Sequence, residues 1–293
     1  MVYPRWLRFI SYIFIYSAVL LGIMWWEEQA RASELVPPQT AMETEVVNLM
    51  SEAVSPPAKP DGKTVNKSFG WYYSPNKEHS PVQTSLLYRN LMEQYRGIWL
   101  GSSSRKWLYL TFDEGYENGY TPKILDVLKE ENVPAAFFIT GYYLQENPEL
   151  VQRMLAEGHL VGNHTSNHYS MPELDQAKLI KEITSLADSY QGLTGQKIAP
   201  FLRPPMGEFS EASLWVTCSL GYSSVFWSFA YRDWETDNQR GKEYAYQQVM
   251  ANHHPGAVIL LHAVSKDNTE ALAEIIRELK GLGYEFHPLT DFH

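Results

Sequence analysis

The chain reads as an α/β protein, a distorted, incomplete (β/α) barrel of about seven strand–helix units spanning residues 105–293. Three observations predict this. From Trp107 onward, short apolar runs rich in β-branched and aromatic residues alternate with longer amphipathic runs. The amphipathic runs carry helix start and stop signals, such as Pro122, Ser210, Gly158 and Gly221. Acids and histidines recur at the carboxyl ends of the strand-like runs, where such barrels place their working residues. About seven units are one short of an eight-fold barrel, which is why it is predicted to be incomplete.

In chain order, strand Leu108–Phe112 precedes helix Tyr120–Glu130, with Pro122 in its first turn. Strand Ala135–Ile139 precedes helix Pro148–Glu157, stopped by Gly158, and strand His159–Gly162 precedes the long helix Pro172–Tyr190. Strand Phe201–Arg203 leads to helix Ser210–Leu220, which Ser210 starts and Gly221 stops. Strand Ser223–Trp227, a loop and helix Tyr244–Asn252 follow. Strand Ala257–Leu261, helix Asn268–Lys280 and a last strand near Tyr284–His287 complete the pattern.

Upstream of the barrel the composition changes twice. Residues 1–32 hold Arg5 and Arg8 followed by an uncharged run from Phe9 to Trp26, then Ala30-Arg31-Ala32. This is an export signal; cleavage after the small-x-small site and retention as a membrane anchor are both open. Residues 33–67 lose periodicity and gain proline, as expected of a disordered tether. Residues 68–104 are too aromatic for a linker. Phe69-Gly70-Trp71-Tyr72-Tyr73 and a short helix over Leu86 to Tyr95 are expected to pack on the barrel, with sugar stacking as the alternative.

Several function classes drop out. A net charge of −10, with no basic patch, excludes a nucleic-acid binder. One cysteine, Cys218, cannot form an intramolecular disulfide, and it sits in a helical run as a buried small hydrophobe. There is neither a Gly-x-Ser-x-Gly elbow nor a phosphate loop.

The first barrel strand ends in Asp113 and Glu114, two adjacent acids that need a cation nearby if both are ionised. His164 and His168 lie close together if that segment turns helically, and with Glu114 they would make a His/His/carboxylate metal site with room for water. A metal there lowers the pKa of the water it binds. Asp113 is then the general base, and Arg203 the cation that holds it ionised, or else a structural salt bridge. His262 is the candidate general acid, with Asp233 fixing its tautomer. His253 and His254 read as helix-end residues, and His79, His287 and His293 have no supporting context.

These segments, Thr111-Phe112-Asp113-Glu114-Gly115, His164 to His168, Arg203-Pro204-Pro205, Asp233-Trp234 and Leu260-Leu261-His262, resemble in order the motifs of the polysaccharide deacetylases with a NodB homology domain. The resemblance implies a distorted (β/α) barrel and a divalent metal, zinc first, with cobalt or manganese as alternatives. It also implies the same roles for Asp113, Glu114, His164, His168, Arg203, Asp233 and His262. Glu114 departs from the family's usual Asp, or Asn in some muramic enzymes, and that puts its metal distance in doubt. Met206 follows Arg203-Pro204-Pro205, where relatives supply a backbone oxyanion donor, and Met206, Trp227, Trp234 and Leu260 are candidate substrate contacts.

Further likeness, in Phe69-Gly70-Trp71, Tyr116 to Tyr120, Phe226-Trp227-Ser228 and His262 to Asn268, is to the delta-lactam-biosynthetic de-N-acetylases of that family. It implies deacetylation of N-acetylmuramic acid in peptidoglycan after an amidase has removed the stem peptide, in a spore-forming bacterium, outside the cytoplasm. A monomer is expected. The alternatives are a deacetylase of N-acetylglucosamine in peptidoglycan or chitin-like glycans, and a non-catalytic glycan-binding protein with a degenerate metal site.

Overall fold

The computed structural model describes residues 57, 59–60, 66–75 and 78–292. The predicted export segment, most of the predicted tether, and His293 lie outside the described residues. Among those described, no helix is long and apolar enough to cross a membrane.

A two-residue strand, β1 (Phe69–Gly70), and helix α1 (Leu86–Gln94) precede the barrel. Then come β2 (Trp107–Glu114), α2 (Thr121–Glu130), β3 (Ala136–Ile139), α3 (Gly141–Glu146), α4 (Pro148–Ala156) and β4 (Leu160–Asn163). They are followed by α5 (Gln176–Thr194), β5 (Phe201–Leu202), β6 (Glu208–Phe209), α6 (Glu211–Ser219) and β7 (Ser223–Ser224). The chain closes with α7 (Lys242–Asn252), β8 (Ala257–His262), α8 (Lys266–Gly281) and β9 (Glu285–Phe286). Seven of these strands form one sheet in the order β7-β5-β4-β3-β2-β8, with β9 also on β2, and every pair is parallel. The sheet curls. Beyond β7 the chain reaches the opposite edge through a single parallel bridge from Phe229 to Ile259 of β8.

Side-chain alternation along β2 sorts two packing layers. Leu108, Leu110 and Phe112 face outward into the layer shared with Ile124, Leu125 and Leu128 of α2 and with Leu272, Ile275 and Ile276 of α8. Tyr109 faces the barrel interior with Phe138, Phe201, Val225 and Val258. β2 is buried from Leu108 to Glu114, so the same alternation decides which of its two terminal acids enters the barrel mouth.

The structure moves some predicted boundaries. The long helix starts at Gln176, because the Asp175 carboxylate caps it by accepting from the Lys178 N–H, while Met171–Glu173 forms a separate 3₁₀ turn. It runs on to Thr194 and ends at Gly195, whose φ of 73° suits a residue without Cβ. Helix α3 and strand β6 are additional to the elements that the sequence pattern predicts. The expected strand Ser223–Trp227 is paired as a strand only at Ser223–Ser224. The residues ahead of the barrel pack on it: Trp71 stacks on Phe226 at 4.5 Å and joins Tyr88, Met92, Phe209 and Leu214 in one apolar cluster, whereas Tyr72 is exposed. Cys218 is buried in that cluster.

Candidate active site

The inward-facing residues of β2 end in Thr111 and Asp113, and Arg203, following β5, reaches both. Its Nη1–H donates to Asp113 Oδ1 at 2.8 Å, its Nη2–H to Thr111 Oγ1 at 2.8 Å, and its Nε–H to the Val225 carbonyl. The guanidinium lies over the Phe138 ring, 4.2 Å from its centroid, and is fully buried. Burial alone would raise the Asp113 carboxyl, but the Arg203 guanidinium beside it, above all, holds it below the ordinary aspartate range. Asp113 is therefore an ionised base, aimed by a fork that cannot lose its proton.

His164 and His168 come together, 4.7 Å between ring centroids, but not on a helical turn. The segment is a loop in which Thr165 and His168 take positive φ, 64° and 57°. Such backbone is costly for residues with a Cβ, so something must hold it. Asn163 Oδ1 accepts from the Thr165 N–H, the His168 N–H donates to Thr165 Oγ1, and buried Glu182 accepts from both the backbone and side chain of Asn167.

The His164 Nδ1 lies 2.8 Å from the Arg203 carbonyl. A carbonyl only accepts, so Nδ1 carries the proton and Nε2 presents a lone pair. That lone pair faces Asp113 Oδ2 at 3.6 Å. Two acceptors face each other there, which suits a bound cation. Burial also drives the His164 imidazole down to about 4, against the pull of Asp113, and lowers His168, so both rings are neutral near neutral pH. Two neutral imidazoles beside one carboxylate oxygen fit a divalent metal.

The third expected ligand does not join them. Glu114 follows Asp113, so the strand's alternation turns it outward, on the face of Phe112. Its carboxyl is fully buried against α2, where it accepts from Thr121 Oγ1 at 3.3 Å, and it shares this space with Glu117 and Tyr143. Burial and then Glu117 push it well above the ordinary glutamate range, which favours the protonated form. Among the described residues, no three His, Cys, Asp or Glu side chains gather as a metal cluster. The expected His164, His168, Glu114 triplet is thus corrected to a histidine pair with Asp113 beside it.

Beside Asp113, and in register with it on the adjacent strand β8, stands His262. Its Nδ1 is 2.7 Å from Asp233 Oδ1, and its backbone N–H donates to Oδ2 of the same carboxylate at 2.8 Å. Asn268 Nδ2–H also donates to Oδ2, at 2.5 Å, and Tyr231 Oη–H in turn donates to Asn268. Burial pulls the His262 imidazole down, but Asp233 and then Asp113 outweigh it, and the net is a pKa above the ordinary histidine value. A raised imidazole pKa favours the protonated form that a general acid needs.

Asp113, His164, His168 and His262 open onto one cavity of about 610 Å³. Its other walls are mostly apolar and include Tyr116, Met206, Trp227, Trp234, Leu260 and Val264. Met206 sits at the rim with φ 58°, a left-handed conformation for a residue with a Cβ. Gly207 next to it has φ 68°, and a Cβ there would lie 2.7 Å from the Trp227 ring, so only glycine lets that indole form the wall. Trp71, ahead of the barrel, braces the same wall: its indole N–H donates to the Trp227 carbonyl at 2.8 Å, and its backbone N–H to the Gly207 carbonyl at 2.8 Å. The sequence reading did not assign Tyr116, Tyr231, Arg232, Val264 or Asn268 to the site. Their common signal, in retrospect, is position within a few residues of Asp113, Asp233 or His262.

The family model for polysaccharide deacetylase matches residues 101–225. The peptidoglycan-N-acetylmuramic acid deacetylase PdaA of Bacillus subtilis is 43% identical over 226 residues, which cover 77% of this chain and 86% of that protein. The chain belongs to the polysaccharide deacetylase family. As a polysaccharide deacetylase it is also similar in structure to Bacillus subtilis PdaA, a family 4 carbohydrate esterase, with a TM-score of 0.76 and 43% identity over 78% of this chain and 97% of that one. A family 4 carbohydrate esterase from Bacillus anthracis matches with a TM-score of 0.67 and 42% identity, covering 79% and 98% of the two chains. Deacetylases of this family are generally metal-dependent.

Proposed function

We propose that this polysaccharide deacetylase is an exported, metal-dependent hydrolase that removes the acetyl group from N-acetylmuramic acid in peptidoglycan. The observation that carries the reading is that one cavity brings together, on adjacent strands, a carboxylate paired with a buried arginine and a histidine paired with a buried aspartate. Arg203 lies 2.8 Å from Asp113 and favours its anion, and Asp233 lies 2.7 Å from His262 and favours its imidazolium. A pure glycan binder has no use for such a pair. The muramic substrate follows from the likeness to PdaA, of which the chain covers most of the length.

A divalent ion held by His164 and His168 would polarise the amide carbonyl and make water more acidic; zinc suits the two imidazoles, with cobalt or manganese as alternatives. Asp113 Oδ2 takes the proton from the attacking water. Arg203 keeps Asp113 ionised and fixed while it does so. The Met206 backbone N–H, at the cavity rim, is the candidate donor to the oxyanion. His262 then gives its proton to the departing amine, and Asp233 stabilises the imidazolium until that moment. Trp227, Trp234 and Leu260 bound the sugar. An amidase that strips stem peptides would act before this enzyme, and the free amine it leaves is what the lactam of spore cortex needs.

Acetate release tests this. Peptide-free muramic glycan should release acetate faster than chitooligosaccharides of equal length, and a chelator should abolish the release until metal is restored. Turnover of chitooligosaccharides alone would transfer the reading to N-acetylglucosamine.

A further inference from the structure

The cavity has one charged wall residue that the acid–base machinery leaves unused. Among the described residues lining it, Arg232 is the sole lysine or arginine. Arg203 cannot serve a substrate, being fully buried and committed to Asp113 and Thr111. Arg232, by contrast, has a side chain 71% exposed, and its ion pair is with Glu235 at 3.5 Å on the outer surface. An exposed pair at that spacing holds its arginine weakly, so the guanidinium is available to an anion entering the cavity.

Its place in the loop matters as much as its charge. Arg232 directly precedes Asp233, which anchors His262 at 2.7 Å, and Trp234, whose ring lies 5.3 Å from the His262 ring. An anion on Arg232 would therefore occupy the same cavity as the group that protonates the leaving amine. The other walls, Tyr116, Met206, Trp227, Leu260 and Val264, offer no competing cation. In N-acetylmuramic acid the acetamido group is on C2, and the lactyl ether, with its carboxylate, is on the neighbouring C3. In N-acetylglucosamine that carboxylate is missing.

We propose that Arg232 binds the lactyl carboxylate of the muramic substrate and so sets the preference for N-acetylmuramic over N-acetylglucosamine residues. This rests on the muramic reading above. The guanidinium fork suits a carboxylate bidentately, and the cost of desolvating it falls on a residue already at the rim. The interaction is made in the bound ground state as well as later, so it should act on KM more than on kcat.

The test compares metal-loaded full-length wild type with R232A, R232E and R232K. Substrates are peptide-free muramic oligomers, the same oligomers with the lactyl carboxyl converted to a methylamide, and chitooligosaccharides of equal length. R232A should lower kcat/KM on the acid oligomer about tenfold, through KM. R232E should lower it further, and R232K should restore part of it. None of the three should change rates on the methylamide or on chitooligosaccharides. The wild-type advantage for acid over methylamide should shrink with added salt. Equal losses on acid and methylamide oligomers, or no loss on either, would overturn the role of Arg232 while leaving the muramic reading intact. Wild type that turns over chitooligosaccharides but no muramic oligomer would overturn both.

Discussion

Asp113 and Glu114 are neighbours at the tip of one strand, both buried, both carboxylic acids, and their pKa values are driven in opposite directions. Asp113 meets Arg203 at 2.8 Å and is held ionised. Glu114, one residue on, meets Thr121, Glu117 and Tyr143 and has its pKa pushed well upward. Burial acts on the two in the same direction; the partner across the gap decides the outcome. The pleat of β2 assigns those partners, sending one acid into the cavity and the other against α2. Adjacent motif acids can thus have unrelated jobs.

The comparison can be broken most violently at Asp113. Asp113→Asn keeps the shape and an acceptor for Arg203 but removes the base, and acetate release should fall by about 10²–10⁴-fold; circular dichroism should show the fold retained. Next comes the acid. Asp233→Asn removes the anion that raises His262, and turnover should drop about 10²-fold. His262 must be protonated to act, and its raised pKa extends activity to higher pH, so the alkaline limb of kcat/KM should move to lower pH in this variant. A smaller effect is expected on metal retention. His164→Ala should weaken zinc affinity by more than about tenfold, read by equilibrium dialysis, whereas Glu114→Gln should leave it unchanged.

The gentlest prediction concerns stability. A carboxyl whose folded pKa is raised binds its proton more tightly in the native state, so its contribution is complete below the ordinary value near 4.5 and is lost as pH rises through the folded value. Wild type should lose stability over that window, and Glu114→Gln should flatten the loss, as read by urea unfolding at a series of pH values.

Much of this was legible beforehand. The alternation of strand and helix runs located seven strands of the curled sheet, because buried parallel strands read as short apolar runs between amphipathic helices. The same reading placed Asp113, His164, His168 and His262 at strand ends, and they line one cavity. The misplacement of Glu114 came from ending the first strand at Phe112. β2 continues to Glu114, paired with Ile139, so the pleat still governs both acids. Four-residue spacing brings His164 and His168 together only if the segment turns helically, whereas they meet through a loop that Asn163 and Glu182 hold, and nothing in the sequence marks those two for that role. Arg232 was invisible for a plainer reason: exposed charge is common, and only the cavity's shape makes this one stand out.

Acetate release from peptide-free muramic glycan by Glu114→Gln and Asp113→Asn, each saturated with zinc and assayed side by side, addresses the central comparison most directly. Glu114→Gln should turn over within about threefold of wild type, since the side chain lies outside the cavity and glutamine keeps its shape, while Asp113→Asn should be nearly inert. A Glu114→Gln enzyme as inactive as Asp113→Asn would contradict the account and return Glu114 to the reacting centre.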